Sequence, residues 1–341
     1  MAYFLAPLRI LVGKLEGTAG TLETLTSADF DVRIRAPEVT TTVEVDDEAS
    51  KWARGDHGED SVVTGSQSGT ITFSTRLTRG TTVTTQPSWF KFASACGQLP
   101  VLYAGKGYGL QPRAQYDEKT MTIYVYDIKR GATPTAVCYK FAGCMGNMTI
   151  AAGGVGKPWM VNFTFTGKLS AVDMNVANGA ILQMIIAEAT CAEKFLNSDV
   201  YIGTHAQKVS QFQLDVGNEI SPVIDQKDAT GFSHYGITSR KPRLTMNPLM
   251  DSTHDIYADL ANGVTGCPSQ YACMVGTTGI AGHVSLHVPA GQIISAGVAN
   301  GEGLIGWDLN IKCLANGYTG AVASGDLPPE TTYELLQGTR S

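Results

Sequence analysis

Apolar and polar residues alternate along several short stretches of this chain, and a period of two is typical of half-buried β-strands. The segments TITFSTRL, KTMTIYVYDIK and WMVNFTFTGKL show this alternation most clearly, and VSQFQLDVG shows it less strictly. Glycine and asparagine separate the stretches, as expected of turns in an antiparallel sheet. The pattern predicts a mainly β fold, built as a sandwich or a partly closed, rolled sheet.

One stretch, residues 87–98, breaks the alternation. Its large apolar residues Trp89, Phe90 and Phe92 follow the three-and-four spacing of a helical face, and Gly97 suits the C-terminal end of a helix. The stretch therefore predicts a short amphipathic helix whose aromatic side chains fill the core beside the sheet.

The same order of elements recurs more loosely in the second half of the chain. The segment STHDIYADLANG offers another apolar helical face in Ile256, Tyr257 and Leu260, and Trp159 and Trp307 each follow a glycine-rich turn. This order indicates a tandem duplication of a β domain with one flanking helix. The predicted parts are a first domain at 1–175, a linker at 176–205, and a second domain with a C-terminal arm at 206–341.

Residues 43–68 stand out because they are rich in acidic, glycine and serine residues. The segment is too polar for a core and too long for a tight turn, so we expect a long polar loop that is functional or disordered. Its candidate contact residues are the charged side chains and one tryptophan: Asp46, Asp47, Glu48, Trp52, Arg54, Asp56, Glu59 and Asp60.

Charge is sparse in this chain of 341 residues. Charged residues make up 16% of it, below the usual ~25%. A surface poor in charge indicates a subunit that becomes covered in an assembly. The net charge is −6 and no run of lysine or arginine is present, which argues against a protein that binds nucleic acid by neutralising phosphates.

Motifs for catalysis or for metal and cofactor binding are incomplete. His283 and His287 lack a third ligand, and GGVGKP lacks both the first glycine and the Ser/Thr of a phosphate loop. The segment LDVGNE favours a turn with Gly217 at positive φ over an acid/base pair. The seven cysteines, an odd and scattered set, favour buried thiols in a reducing cytoplasm over a disulfide framework. We therefore expect no enzyme activity, no cofactor and no metal.

The apolar N-terminus is too short to cross a membrane, which takes about 20 residues. It also lacks the charged start and cleavage site of a signal peptide. An ordered strand or arm is expected there, and no membrane partner.

The order of the segments resembles the major tail tube proteins of long-tailed (siphovirus-like) bacteriophages, in their tandem-domain form. LVGKLEGTAGT resembles their opening strand and turn, and ITFSTRLTRG followed by PSWFKFASACG resembles their strand, loop and helix. FQLDVGNEISP resembles the opening of a second domain. The resemblance spans roughly residues 8–310 and rests on the order of the segments, and the polar segment 43–68 departs from it.

The resemblance implies subunits that join edge to edge into rings, and rings that stack into a tube. Two domains per chain imply trimeric, pseudo-hexameric rings. The lumen would be a negatively charged conduit for DNA ejection. The role of the polar loop 43–68 does not come from the resemblance, and we hypothesise that this loop reaches the neighbouring ring. The candidate lumen-facing acidic residues are Asp127, Asp173, Asp215 and Glu219.

The implied partners are other copies of the chain, the tape measure protein, the tail terminator and tail tip proteins, and DNA that passes without specific binding. The implied location is the virion, after assembly in the host cytoplasm. Three alternatives remain open: another phage ring, baseplate, terminator or capsid decoration protein; a carbohydrate-binding β-sandwich module; and an enzyme with an unrecognised site.

Overall fold

The computed structural model describes residues 4–46, 63–80, 82, 84–103, 107–113, 118–129, 135–183, 192–251, 255–258, 260, 271–276, 284–301, 304–315 and 333–338. Strands dominate these residues, so the expected mainly β fold is confirmed. Within the same residues no helix has the length and apolar character needed to cross a membrane.

Eight strands and a short helix fill the chain up to residue 177. They are β1 (Phe4–Leu15), β2 (Ile34–Asp46), β3 (Val63–Arg76), α1 (Phe90–Ala95), β4 (Gln98–Tyr103), β5 (Gly107–Pro112), β6 (Met121–Lys129), β7 (Thr135–Ala152) and β8 (Met160–Ala177). Short 3-10 turns lie at Ser27–Asp29 and Asn178–Ala180.

The remaining strands begin at residue 199. They are β9 (Asp199–Ile202), β10 (His205–Ala206), β11 (Val209–Asp215), β12 (Asn218–Ile224), β13 (Phe232–Arg240), β14 (Arg243–Pro248), β15 (Tyr271–Gly276), β16 (Val284–Gly301), β17 (Leu304–Leu314) and β18 (Glu334–Gly338). Residues 256–258 and 260 are helical.

Most strands belong to one large antiparallel sheet that contains two rows of six. The first row runs β1-β6-β7-β8-β3-β2, and the second runs β9-β15-β16-β17-β14-β11, with β10 outside β9. Matching the rows strand by strand preserves both the neighbours and the order along the chain. Helical residues follow β3 in the first row and β14 in the second, so they too occupy matching places.

The two rows join where β11 pairs with β7. Leu214 lies opposite Ile150 and Phe212 opposite Ala152, so β11 continues the edge of β7 that β6 occupies further back. The C-terminal strand β18 connects the second row to the β4–β5 hairpin, because it pairs with β16 and with β5. Strands β12 and β13 form a separate hairpin.

The predicted helix at 87–98 is confirmed, and it spans six residues. Trp89 is its N-cap, and Gly97 with φ of +70° follows its C-cap. Phe92 is buried and packs its ring 5.0 Å from Phe73 and 5.8 Å from Phe163. The indole N–H of Trp89 donates to the backbone oxygen of Thr78 at 3.0 Å, which satisfies its buried polar atom.

The second predicted helical face is only partly in the core. Ile256 is buried and Leu260 packs against the core from a partly buried position, as expected. Tyr257 was expected in the core and is 53% exposed instead. Its ring meets the edge of Trp307 at 4.8 Å, because it covers that indole from the solvent side.

The polar segment 43–68 is strand at both ends, which corrects the expected loop boundaries. Strands β2 and β3 pair as far as Val45 with Thr64 and Asp46 with Val63. Valine recurs at these ends, and its β-branched side chain favours an extended backbone. The segment is polar there because β2 is an exposed edge strand. Of the candidate contact residues, Asp46 ends β2 and the other seven lie outside the described residues.

The expected linker 176–205 also needs correction at its C-terminal end. Strand β9 falls inside it and pairs with β15, with Val200 opposite Val275. These residues are therefore part of the second row of the sheet.

Candidate assembly surfaces

Asp127, a candidate lumen-facing residue, is held in an ion pair. Arg9 donates from Nε to Oδ1 at 2.5 Å and from Nη2 to Oδ2 at 3.0 Å, a bidentate arrangement across β1 and β6. The hydrogen bond with Asp127 raises the pKa of the Arg9 guanidinium. The negative charge of Asp127 is therefore largely compensated within the chain.

Asp173 and Glu219 are also paired, but both are more open to solvent. Lys140 Nζ lies 2.6 Å from Asp173 on β8, and that contact raises the pKa of Lys140. Lys241 donates to Glu219 on β12, and this hydrogen bond lowers the pKa of Glu219. Exposed pairs of this kind contribute little to stability.

Asp215 holds a turn, as the preferred interpretation of LDVGNE predicted. Its Oδ1 accepts hydrogen bonds from Asn147 Nδ2 at 2.8 Å and from the backbone N–H of Gly217 at 2.9 Å. Gly217 has φ of +66°, a conformation that favours glycine. Asp215 and Glu219 lie near the two ends of this turn, whereas Asp127 and Asp173 flank β7 on its two edges.

Local sequence patterns do not reveal unpaired strand edges, which form candidate assembly surfaces. Among the described residues, the outer edge of β2 has no strand partner. Within the same residues, positions 292–301 of β16 pair only with β17, since the described part of β15 begins at Tyr271, opposite Gly291 on the other edge. Exposed edges of this length are templates for pairing with another chain.

An exposed apolar patch lies at the same end of β16 and β17. Val298 is 58% exposed, and Leu304 and Ile305 are similarly open. Met250 donates its backbone N–H to the Ile305 oxygen at 3.1 Å, Val298 lies opposite Trp307 in the β16–β17 ladder, and Tyr257 lies against Trp307, so these residues lie close together. We call the four exposed residues Met250, Tyr257, Val298 and Ile305 the apolar patch. A contiguous exposed patch is typical of an interaction surface.

The matching end of the first row is covered. There the Trp159 ring meets Phe212 at 4.6 Å, and Phe212 in turn meets Phe195 at 5.3 Å. Residues 192–196 run alongside and exchange backbone hydrogen bonds with the end of β3 and the start of β8, such as Trp159 N–H to the Glu193 oxygen at 2.9 Å. Residues 192–196 and Phe212 thus cover this end of the first row, whereas the apolar patch at the matching end of the second row is exposed.

A basic groove of roughly 330 Å³ lies at the start of β2. Arg33, Arg35 and Arg76 line it together with Asp31. The sequence that connects β2 to β3 is acidic, because acidic residues outnumber basic ones between residues 44 and 60. The groove at the start of β2 and the sequence that follows β2 therefore carry opposite charge.

The cysteines that the structure describes carry no reactive thiolate at neutral pH. Cys96, Cys138, Cys144, Cys273 and Cys313 are all buried and free. Burial raises the pKa of Cys138 to about 11, and that of Cys273 to about 12. These five fit the expectation of buried thiols. The described part of the chain also contains no cluster of three or more His, Cys, Asp or Glu able to hold a metal ion.

No protein-family model and no curated protein sequence matches this chain.

Proposed function

We propose that this chain is a structural virion protein that polymerises, as stacked rings, into the tail tube of a long-tailed bacteriophage. The observation that carries the proposal is the pair of matching six-stranded rows. Within one chain β7 pairs with β11. Among the described residues, the matching edges of β16 and β2 have no strand partner. A molecule with one closed and one open copy of the same contact is suited to self-assembly.

The matching rows support a tandem duplication. Six strands correspond in order and in neighbours, and the tryptophans that follow the β7–β8 and β16–β17 turns, Trp159 and Trp307, correspond as well. Each row then represents one rolled β domain with a short helix beside it. Two such domains per chain favour a ring of three chains with six similar units.

In the proposed assembly, rings of this kind also stack on one another. The contact from β16 to β2 is heterologous, because it joins different surfaces of two copies, and it closes on itself only when the rotation between the copies allows it. The sequence between β2 and β3 is acidic and a basic groove lies at the start of β2, so charge complementarity supports a role for this segment between rings. A hollow stack of such rings is a tube.

The charge of the chain fits a conduit for DNA. The net charge of −6 and the lack of a basic run in the sequence disfavour binding of phosphate by the chain as a whole. Among the candidates for the lumen, Asp173 and Glu219 are more exposed than Asp127, which is screened by Arg9. In this proposal the chain has no catalytic role, and its partners are its own copies together with the tape measure, terminator and tip proteins.

Electron microscopy of the purified chain tests the proposal. Long hollow tubes of constant diameter are the expected result. Closed single rings would instead favour a terminator, baseplate or decoration protein. Monomers that bind sugars on a glycan array would favour a carbohydrate-binding module and overturn the proposal.

A further inference from the structure

We propose that residues 34–38 of β2 in one copy pair antiparallel with residues 295–298 of β16 in a second copy, with Ile34 opposite Val298 and Arg35 opposite Gly297. The inference rests on the proposed self-assembly and adds a defined register to it. The ladder between β7 and β11, which the chain forms internally, is the template.

The first step matches β7 with β16. Trp159 and Trp307 are followed two residues later by Val161 and Leu309, each in the middle strand of its row. Val161 lies opposite Ile150, and Leu309 lies opposite Ala296. Ile150 therefore matches Ala296, and two residues further on Ala152 matches Val298.

The second step matches β11 with β2 through the strands between them. Val161 lies opposite Thr75 of β3, and Leu309 lies opposite Met246 of β14. Thr75 in turn pairs with Ile34, whereas Met246 pairs with Phe212. Ile34 therefore matches Phe212. The backbone contacts at the strand ends agree, since Leu77 bonds to Trp159 and Leu249 bridges to Gly306 in the same register.

The register between copies follows by substituting the matched residues into the template. Phe212 lies opposite Ala152, so Ile34 is placed opposite Val298. Gln213 lies opposite Ala151, so Arg35 is placed opposite Gly297.

The pairing is interrupted once, where β2 has a bulge between Arg35 and Glu38. Pro37 has no N–H to donate there. The ladder therefore resumes at Glu38, which matches Asp215 and is placed opposite Ser295, the counterpart of Thr149.

Side-chain size supports this register. In the template, the outward-facing polar residues Gln213 and Asp215 lie opposite the small residues Ala151 and Thr149. Between copies, Arg35 and Glu38 meet Gly297 and Ser295, which repeats the arrangement of a long polar side chain opposite a small one. No like charges meet, and such cross-strand pairs determine which registers are tolerated.

The apolar patch supports the choice of partner. In the template, Phe212 covers Trp159 at the end of the first row. In the second row Val298, the counterpart of Ala152, is 58% exposed, and Ile305 on the same face of the sheet is 54% exposed. Ile34 of the second copy brings an apolar side chain to this place, so pairing removes exposed apolar surface as well as an open strand edge.

Disulfide trapping between two variants that each carry one added cysteine tests the register. Arg35→Cys and Gly297→Cys both lie at exposed positions, and a Cβ at Gly297 meets no atom closer than Asp308 Cβ at 3.9 Å. Directly opposed residues in an antiparallel pair have Cα atoms about 4.5–5.5 Å apart, which suits a disulfide. Mixing the two variants under mild oxidation should give a covalent dimer that neither variant gives alone.

The matched control replaces Gly297→Cys by Ala299→Cys, two residues along the same edge. Its Cα lies at a diagonal distance of about 7–8 Å from residue 35, beyond easy bridging. We expect the 35/297 mixture to give at least ten times more dimer than the 35/299 mixture. Equal yields, or more dimer from 35/299, would overturn the register. A chain without new cysteines gives the background from the native thiols.

Electron microscopy of the same mixtures separates this inference from the proposed function. Tubes that form without a 35/297 disulfide would refute the register and leave the tail tube proposal standing. Tubes whose chains become linked through 35/297 support both. A mixture that gives neither particles nor dimers refutes both.

Discussion

Phe92 shows how one side chain can hold a helix against a sheet. Its ring contacts the rings of Phe73, Phe163 and Phe165, and a Cβ at Gly13 would come within 2.7 Å of it, so the site is filled on every side. Phe92→Ala leaves a cavity, and we expect a loss of about 3–5 kcal/mol in the free energy of unfolding by urea titration. Phe92→Leu keeps most of the volume and should lose roughly 1 kcal/mol.

A charged residue at the same position tests the placement of the helix more severely. Phe92→Asp puts an unpaired carboxylate among aromatic rings, and such burial is costly. We expect insoluble or unassembled chains. Normal tubes from this variant would contradict the packing of α1 described above.

Asp228 makes stability depend on pH. Burial alone would raise its pKa, but hydrogen bonds from Lys168 and Thr230 outweigh burial and lower the pKa of Asp228 to about 2. A carboxyl with a depressed folded pKa stabilises the fold above its unfolded pKa of about 4 and loses that contribution as pH falls toward 2. The melting temperature should therefore drop across this window.

Asp228→Asn should flatten that part of the pH profile, measured by thermal unfolding between pH 5 and pH 2. Glu219→Gln is the control, because its partner Lys241 and Glu219 itself are both largely exposed. An Asn variant whose melting temperature falls as steeply as that of the parent would rule out the Lys168–Asp228 pair as a source of acid sensitivity.

At the scale of the elements, Gly97 lies where the end of α1 packs against β13. Its φ of +70° disfavours any side chain, and a Cβ there would lie 2.3 Å from Arg240 Nη2 and 2.8 Å from Ile237 Cδ1. Gly97→Ala should therefore lower the free energy of unfolding by about 1–3 kcal/mol. Gly153→Ala, where no atom lies within 4 Å, should change it by less than about 0.5 kcal/mol, as most surface substitutions do.

The β2–β3 hairpin carries the prediction for contacts between rings. Deleting residues 46–64 removes the acidic tip and leaves most of the β2–β3 ladder in place. We expect the chain to fold normally by circular dichroism but to form shorter or less stable tubes. Tubes of normal length and stability in electron micrographs would disprove the role of the tip.

The elements best predicted from sequence are those in which the polarity of each residue matches its burial. Phe73 and Phe163 alternate with polar neighbours because one face of each strand is buried, so a local pattern suffices. The join between Leu214 and Ile150 has no local signal, since the partners are distant in the chain. Strand β9 is four residues long, which is too short for a periodic pattern, so the sequence alone places these residues in a linker. Tyr257 had the right spacing for the core, but spacing does not show which helical turn is covered.

At the scale of the whole molecule, the C-terminal strand ties the second row to the β4–β5 hairpin. Leu335 lies opposite Leu110 of β5 on one side and Leu286 of β16 on the other. Tyr333 is buried and donates to Gln98 Oε1 at 2.8 Å, and Glu334 accepts from Gln111 Nε2 at 3.0 Å. A single strand thus satisfies apolar and polar groups of both halves.

Truncation after residue 332 should weaken that coupling. We expect a lower melting temperature and two calorimetric transitions in place of one, because the β4–β5 hairpin then loses its strand contact with the second row. Truncation after residue 338, which keeps β18, is the control. One transition at the parental temperature for the shorter chain would show that β18 does not couple the hairpin to the second row.

The ladder between β7 and β11 lies within one chain, so its effective concentration is fixed by covalent connection and dilution does not open it. In the proposed assembly, the corresponding contact between copies obeys mass action. Weakening the internal ladder lowers the stability of every molecule by the same amount at any protein level. An equal weakening at Val298 leaves each folded chain unchanged and raises only the concentration at which assembly begins. One contact, present in two versions, thus allows the onset of assembly to change independently of folding.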